Sequence, residues 1–174
     1  MTAWPDVSGD TALSIRVPHA DALVRTGIPA HVTVLYPFLH ESRLTTPVHA
    51  ELAALLRTHD AFDLTFAEFT RYPGVLCLDP WPADPVRALT KALRDRWPQA
   101  VPYRGIFGDE GLAPHLTVAN HEGPDTWEAA YTALEAELAP RLPVTAAVTH
   151  VDLIVWDGTA WHPVQSLPLR RPEP

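Results

Sequence analysis

Ile28-Pro-Ala-His31-Val-Thr33-Val-Leu35 and Leu112-Ala-Pro-His115-Leu-Thr117-Val-Ala119 decide how this chain is read. Each places a proline upstream of His-apolar-Thr-apolar, and 84 positions separate His31 from His115. Side chains of an extended strand alternate between faces, so His31 and Thr33 project to one side and Val32 and Val34 to the other. His115 and Thr117 stand in the same relation to Leu116 and Val118. With nine histidines and 20 serines plus threonines among 174 residues, about 0.2 matches to this pattern are expected from composition, and two in roughly 2% of shuffled chains. Two copies, each in a predicted strand, point to an internal duplication.

The elements around the two stretches repeat in order. Residues 11–17 alternate as a half-buried strand with Leu13, Ile15 and Val17 on one face, and 31–36 form the next strand. Thr46 as N-cap and Pro47 at N1 open a helix through about Thr58, with Val48, Leu52, Leu55 and Leu56 as its buried stripe. Residues 62–66 and 75–78 read as strands joined through Arg71-Tyr-Pro-Gly74. In the second round Asp84 caps a helix that begins at Pro85 and ends near Trp97. A loop with Gly105, Gly108 and Gly111 then leads to a strand at 115–119. Asp125 with Glu128 resembles a capping box for a helix carrying Trp127, Tyr131, Leu134 and Leu138. The last two strands, near 148–156 and 160–164, meet at Asp157-Gly158, a hairpin signal.

Composition prunes the chemistry. Lys and Arg total 13 against 21 Asp and Glu, a net charge of −8, with 47% apolar residues: one globular unit spanning 1–174. No apolar run reaches the ~18 residues of a membrane span, and Met-Thr-Ala-Trp-Pro-Asp-Val lacks the features of a secretory signal, so a cytoplasmic chain without membrane contact is expected. Cys77 is the only cysteine, set among Val75, Leu76 and Leu78, which predicts a buried, unreactive thiol. Lys91 is the only lysine and points away from its helix's apolar face, which disfavours adenylating ligases and pyridoxal enzymes. The acidic balance argues against DNA and other long nucleic acid as nonspecific partners, yet leaves room for a short anionic substrate where a few arginines converge.

Two histidines and two hydroxyls on facing strands suit phosphodiester chemistry. One imidazole takes a proton from the attacking oxygen, the other protonates the leaving oxygen, and the threonines hydrogen-bond the nonbridging oxygens. No metal or other cofactor is required. At these residues the chain resembles the two-histidine (2H) phosphoesterase superfamily, in its 2′-5′ RNA ligase-like, cyclic phosphodiesterase branch. The resemblance extends through the HVTVLYPF segment of 31–38, the stretch from Arg71 to Leu76, and PHLTVA of 114–119. It implies an α+β, bilobal duplicated fold: two mainly antiparallel sheets with flanking helices and a central cleft. It implies metal-independent action on 2′,3′-cyclic phosphates or 2′-5′ phosphodiesters of RNA ends or nucleotides. For hydrolysis it makes His115 the base, His31 the acid, and Thr33 and Thr117 the phosphate grip.

The expected partner is a small cyclic nucleotide or a short RNA end, bound by a monomer. Arg71 and Arg104 are candidates for charge on the phosphate, and Tyr36, Phe38, Tyr103 and Trp156 for stacking on a base. The plainer readings of these six are surface arginines and core aromatics. The glycines around Phe107 describe either a flap over the cleft or a flexible loop. His40-Glu41 and His121-Glu122 lack any standard metal spacing and read as surface loops. Two other functions stay open: a noncatalytic binder of nucleotides or RNA ends using the same cleft, and a histidine metallohydrolase, the latter disfavoured because neither motif holds a carboxylate.

Overall fold

The computed structural model describes residues 6–120 and 127–172. Its strands are β1 (Thr11–Arg16), β2 (His31–Leu35), β3 (Phe62–Tyr72), β4 (Val75–Trp81), β5 (Leu116–Asn120), β6 (Val144–Val148), β7 (His150–Trp156) and β8 (Trp161–Pro168). They form one sheet in the order β6-β3-β4-β5-β2-β1-β7-β8, antiparallel at every pairing. The order is symmetric about its middle: β2 and β5, the two motif strands, lie side by side, and each begins a four-stranded half.

The halves expected as two sheets are therefore continuous, joined where Val32 opposes Leu116. That junction is short: the carbonyls that would continue it, Val34 O and Val118 O, are bonded by other donors. Both motif strands then carry a β-bulge at the same place. Thr33 opposes Ser14 and Leu35 opposes Leu13, which leaves Val34 unpaired on β2. Thr117 opposes Cys77 and Ala119 opposes Leu76, which leaves Val118 unpaired on β5. The carbonyls of the two extra residues find other donors: Thr90 Oγ1 reaches Val34 O at 2.7 Å, and the Arg25 amide reaches Val118 O at 2.7 Å. Bulges of this kind bend a strand and re-aim its side chains.

Three α-helices occur among the described residues: α1 (Thr46–Leu56), α2 (Asp84–Arg96) and α3 (Trp127–Leu138). Leu52 and Leu56 of α1, Val86, Leu89 and Leu93 of α2, and Tyr131 and Leu138 of α3 share one core with the sheet residues Leu13, Ile15, Val32, Leu64, Phe66, Leu76, Leu78, Leu116, Val151 and Leu153. These strand residues alternate with Ser14, Thr33, Cys77, Thr117 and Asp152, so the opposite face of the sheet is the polar one. None of the described helices is long and apolar enough to cross a membrane.

Differences from the expected elements have local causes. β1 is buried on both faces from Thr11 to Ile15: Thr11 Oγ1 donates to Leu39 O at 2.5 Å, and Ser14 lines a cavity on the polar face. Thr45, one residue earlier than expected, caps α1 by accepting from the Val48 amide. Asp84 lies inside α2 rather than at its cap, which is Ala83 with no side-chain bond, and it acts instead on the helix dipole. His115 stands just before β5. β6 was not anticipated as a separate strand. Asp125, half of the expected capping box, and His121-Glu122 lie outside the described residues, as does the Glu128 side chain.

Candidate active site

Alternation turns His31 and Thr33 of β2, and His115 and Thr117 at β5, toward the polar face. Extending the antiparallel register by one residue on either side of Val32 and Leu116 sets His31 across from Thr117 and Thr33 across from His115. Each imidazole is thus opposite a hydroxyl of the other motif. The two rings are fixed alike. His31 Nδ1 lies 2.8 Å from Pro29 O, and His115 Nδ1 lies 2.8 Å from Ala113 O. A carbonyl only accepts, so both Nδ1 atoms donate and the neutral rings present Nε2 as a free acceptor. Burial pulls the His31 pKa below the usual imidazole value; the Pro29 carbonyl opposes this, and the charges of His115 and Arg16 add to it. His115 is therefore close enough to repel a proton on His31.

The hydroxyls have partners below them. Tyr103 hydrogen-bonds Thr33, and burial raises its phenol to about 12. Cys77 hydrogen-bonds Thr117, and burial raises the thiol to about 12, in keeping with the inert cysteine expected. Tyr103 and Arg104 reach their places with φ of 49° and 53°, a left-handed pair that non-glycine residues adopt at a cost of about 1–3 kcal/mol each. The Tyr103 amide bonds Tyr36 O at 2.6 Å. Gly111 holds the far end of this loop: a Cβ there would lie 2.7 Å from the Pro102 Cβ.

Two cavities flank these side chains. One, of about 600 Å³, is mainly apolar and holds His31, with Ala12, Ile154, Trp161 and Val164 on its walls and Arg16 at its edge. The other, of about 970 Å³, runs between α2 and residues 110–115 and holds His115. Thr33, Tyr36 and Tyr103 line both.

Of the expected binding residues, Tyr36 and Tyr103 are at the cavities. Tyr36 is pinned, its hydroxyl donating to Asp6. Four others are elsewhere. Phe38 is buried against Trp97, edge to ring at 5.1 Å, as a core aromatic. Arg71 sits on the helix side, its Nε 2.7 Å from Glu135 of α3 and its guanidinium bonded to Thr132; its neighbour Tyr72, on the other face, has its ring 6.0 Å from that of His115. Arg104 binds the buried Asp10 carboxylate and the Tyr36 hydroxyl, so its charge is already matched. Trp156 packs against Trp161 at 5.6 Å, and Trp161 is the one that reaches the cavity. Trp161, Arg16, Ser14 and Tyr72 were missed; strand alternation within β1 and the β7–β8 hairpin carried the signal for the first three.

A symmetric sheet whose two central strands each aim a histidine and a threonine at one face is the architecture of a 2H phosphoesterase. A family model described as the 2′-5′ RNA ligase superfamily matches residues 5–160. The chain belongs to that superfamily, a class of phosphoesterase and ligase-type enzymes. Among solved structures it is similar to E. coli LigT complexed with 3′-AMP, at 16% identity and a TM-score of 0.59, over 94% of this chain and 99% of that one. A second structure, described as a phosphoesterase, gives 15% identity and a TM-score of 0.56 over the same shares. These two likenesses speak to the fold. No curated protein matches the chain.

Proposed function

We propose that the protein is a metal-independent phosphoesterase acting on 2′,3′-cyclic phosphates or 2′-5′ phosphodiesters of RNA ends or nucleotides. The observation that carries this reading is the matched anchoring of His31 and His115, each held through Nδ1 by the carbonyl two residues upstream. In hydrolysis of a cyclic phosphate, His115 Nε2 takes a proton from water as the water oxygen bonds to phosphorus. The ribose oxygen–phosphorus bond breaks on the opposite side, and His31 Nε2–H protonates the departing oxygen. Thr33 and Thr117 donate to the nonbridging oxygens. Burial lowers the His31 pKa in the free protein; an anionic phosphate beside it supplies the opposite charge that lets it carry a proton in the complex.

The apolar cavity beside His31, with Trp161 on its wall, suits a nucleoside attached to that phosphate. Binding of 3′-AMP by E. coli LigT, which shares the fold, agrees with a nucleotide there. The test is turnover of 2′,3′-cyclic nucleotides and 2′-5′-linked dinucleotides before and after exhaustive chelation. Product formation insensitive to EDTA and strongly lowered by His31→Ala or His115→Ala is expected. Binding without turnover makes the protein a nucleotide-binding module; activity lost to EDTA and restored by a divalent ion makes it a metallohydrolase.

A further inference from the structure

The cavity on the His115 side is built differently from its neighbour. Its wall on α2 is edged by Arg87, Lys91 and Arg94, which recur at i, i+4 and i+7 and so share one face of the helix, opposite the buried Val86, Leu89 and Leu93. At 1.5 Å per residue, this stripe is about 10 Å long. Asp95 and Glu110 also line the cavity. Arg87 pairs loosely with the exposed Asp84 at 3.3 Å, Lys91 pairs with Asp95, and Arg94 has no carboxylate partner among the described residues. Three cations on one helical face are conspicuous in a chain of net charge −8. Because Thr33, Tyr36 and Tyr103 border both cavities, the proposed phosphate position lies between an apolar compartment and a polar one that has the three cations on its helical wall.

A nucleotide with a single phosphate fills the first compartment and leaves the second unused. We propose that the basic face of α2 is a subsite for phosphate beyond the scissile one, so that the preferred substrate is an oligonucleotide whose chain continues across the reacting phosphodiester and along Arg87, Lys91 and Arg94. This rests on the proposed phosphoesterase reading and adds a specificity determinant to it. Electrostatic attraction there strengthens binding of the longer substrate and leaves the bond-breaking step to the histidines.

The test compares a 2′,3′-cyclic mononucleotide with a 2′-5′-linked tetranucleotide, using the wild-type chain and the R87Q/K91Q/R94Q variant, with thermal melting to confirm that the variant is folded. For the tetranucleotide we expect KM at least 10-fold higher in the variant, kcat unchanged, and a plot of log kcat/KM against log salt shallower by about 1.4, the value for losing contact with the two phosphates that lie beyond the scissile one. For the mononucleotide neither parameter should move. Should the triple variant melt early, Arg94→Gln alone is expected to flatten the slope by about 0.7. Equal effects on both substrates, no effect on either, or failure of the wild-type chain to turn over the tetranucleotide while it turns over the mononucleotide overturns the subsite. Failure of the wild-type chain on both overturns the phosphoesterase reading itself.

Discussion

The strand carrying His31 and the strand carrying His115 were built to one plan and finished differently. Both set the imidazole through Nδ1 on a carbonyl two residues back, both follow with a threonine on the same face, and both bulge at the next residue. The difference lies beneath and beside them. Thr33 bonds the Tyr103 phenol and Thr117 the Cys77 thiol; the bulged Val34 carbonyl is met by a side chain and the Val118 carbonyl by a backbone amide; an apolar cavity adjoins His31 and a polar one, walled by the α2 cations, adjoins His115. On the proposed reading, symmetry supplies two interchangeable proton-transfer groups, and its loss around them is what would tell the two ends of a substrate apart.

The strongest way to break the comparison is to remove one imidazole at a time. His31→Ala and His115→Ala should each lower kcat/KM by about 10²-fold to 10⁴-fold, the range for a positioned acid or base. They should part company on a substrate with a good leaving group, which needs little protonation: turnover should recover in His31→Ala and stay low in His115→Ala. The reverse pattern exchanges their roles, and two unimpaired variants remove both from catalysis.

The threonines come next. Thr33→Val and Thr117→Val should cost about 10-fold to 10²-fold in kcat, the worth of one hydrogen bond to a charged group. Thr33→Val should be the worse because it also strands the Tyr103 hydroxyl; equal losses would show that the partners below do not matter.

Acid–base titration sharpens the contrast further. His31 must be protonated to act as the acid, and burial lowers its pKa. The alkaline limb of kcat/KM, which reports the free enzyme, should therefore fall below the ordinary imidazole value of about 6.5. In the kcat profile, with phosphate bound, the same limb should move to higher pH. If His31→Ala instead removes the acidic limb, His31 is the base.

The smallest effect is on stability. Thr90→Val leaves Val34 O without its side-chain donor and should cost about 1–3 kcal/mol in urea unfolding. At Val118, whose carbonyl takes the Arg25 amide, only proline at position 25 removes the donor, and it constrains the backbone as well.

What could be read in advance was what is local. The two-residue period of His-x-Thr-x, the Pro47 and Pro85 helix starts and the apolar stripes of α1 and α2 involve neighbours within a few positions, and the structure has them. Arg104 and Arg71 could not be settled that way, because Asp10 is 94 residues from the first and Glu135 is 64 from the second. The same holds for Phe38, whose burial depends on Trp97. β1 looked half-exposed because its polar residues mimic a solvent face; Thr11 is covered by the segment ending at Leu39, and Ser14 lines the cavity that holds His31. The bulges left no compositional trace, since Val34 and Val118 are as apolar as any ladder residue.

Those bulges make the motif strands a matter of counting. At β2 the extra residue allows Val34 and Leu35 both to enter the core and still returns Tyr36 to the cavities; at β5, Val118 and Ala119 are buried in the same way before Asn120. Exchanging one apolar residue for another at these positions changes packing by degrees. Losing Val34 or Val118 would only take out the bulge: the pairs that flank it, Thr33 with Ser14 and Leu35 with Leu13 on β2, Thr117 with Cys77 and Ala119 with Leu76 on β5, would become consecutive, so the faces would hold while one core side chain was lost. At the bulges, then, a change in the kind of apolar residue alters the core by degrees, and a change in number straightens the strand and empties one core position without turning it over.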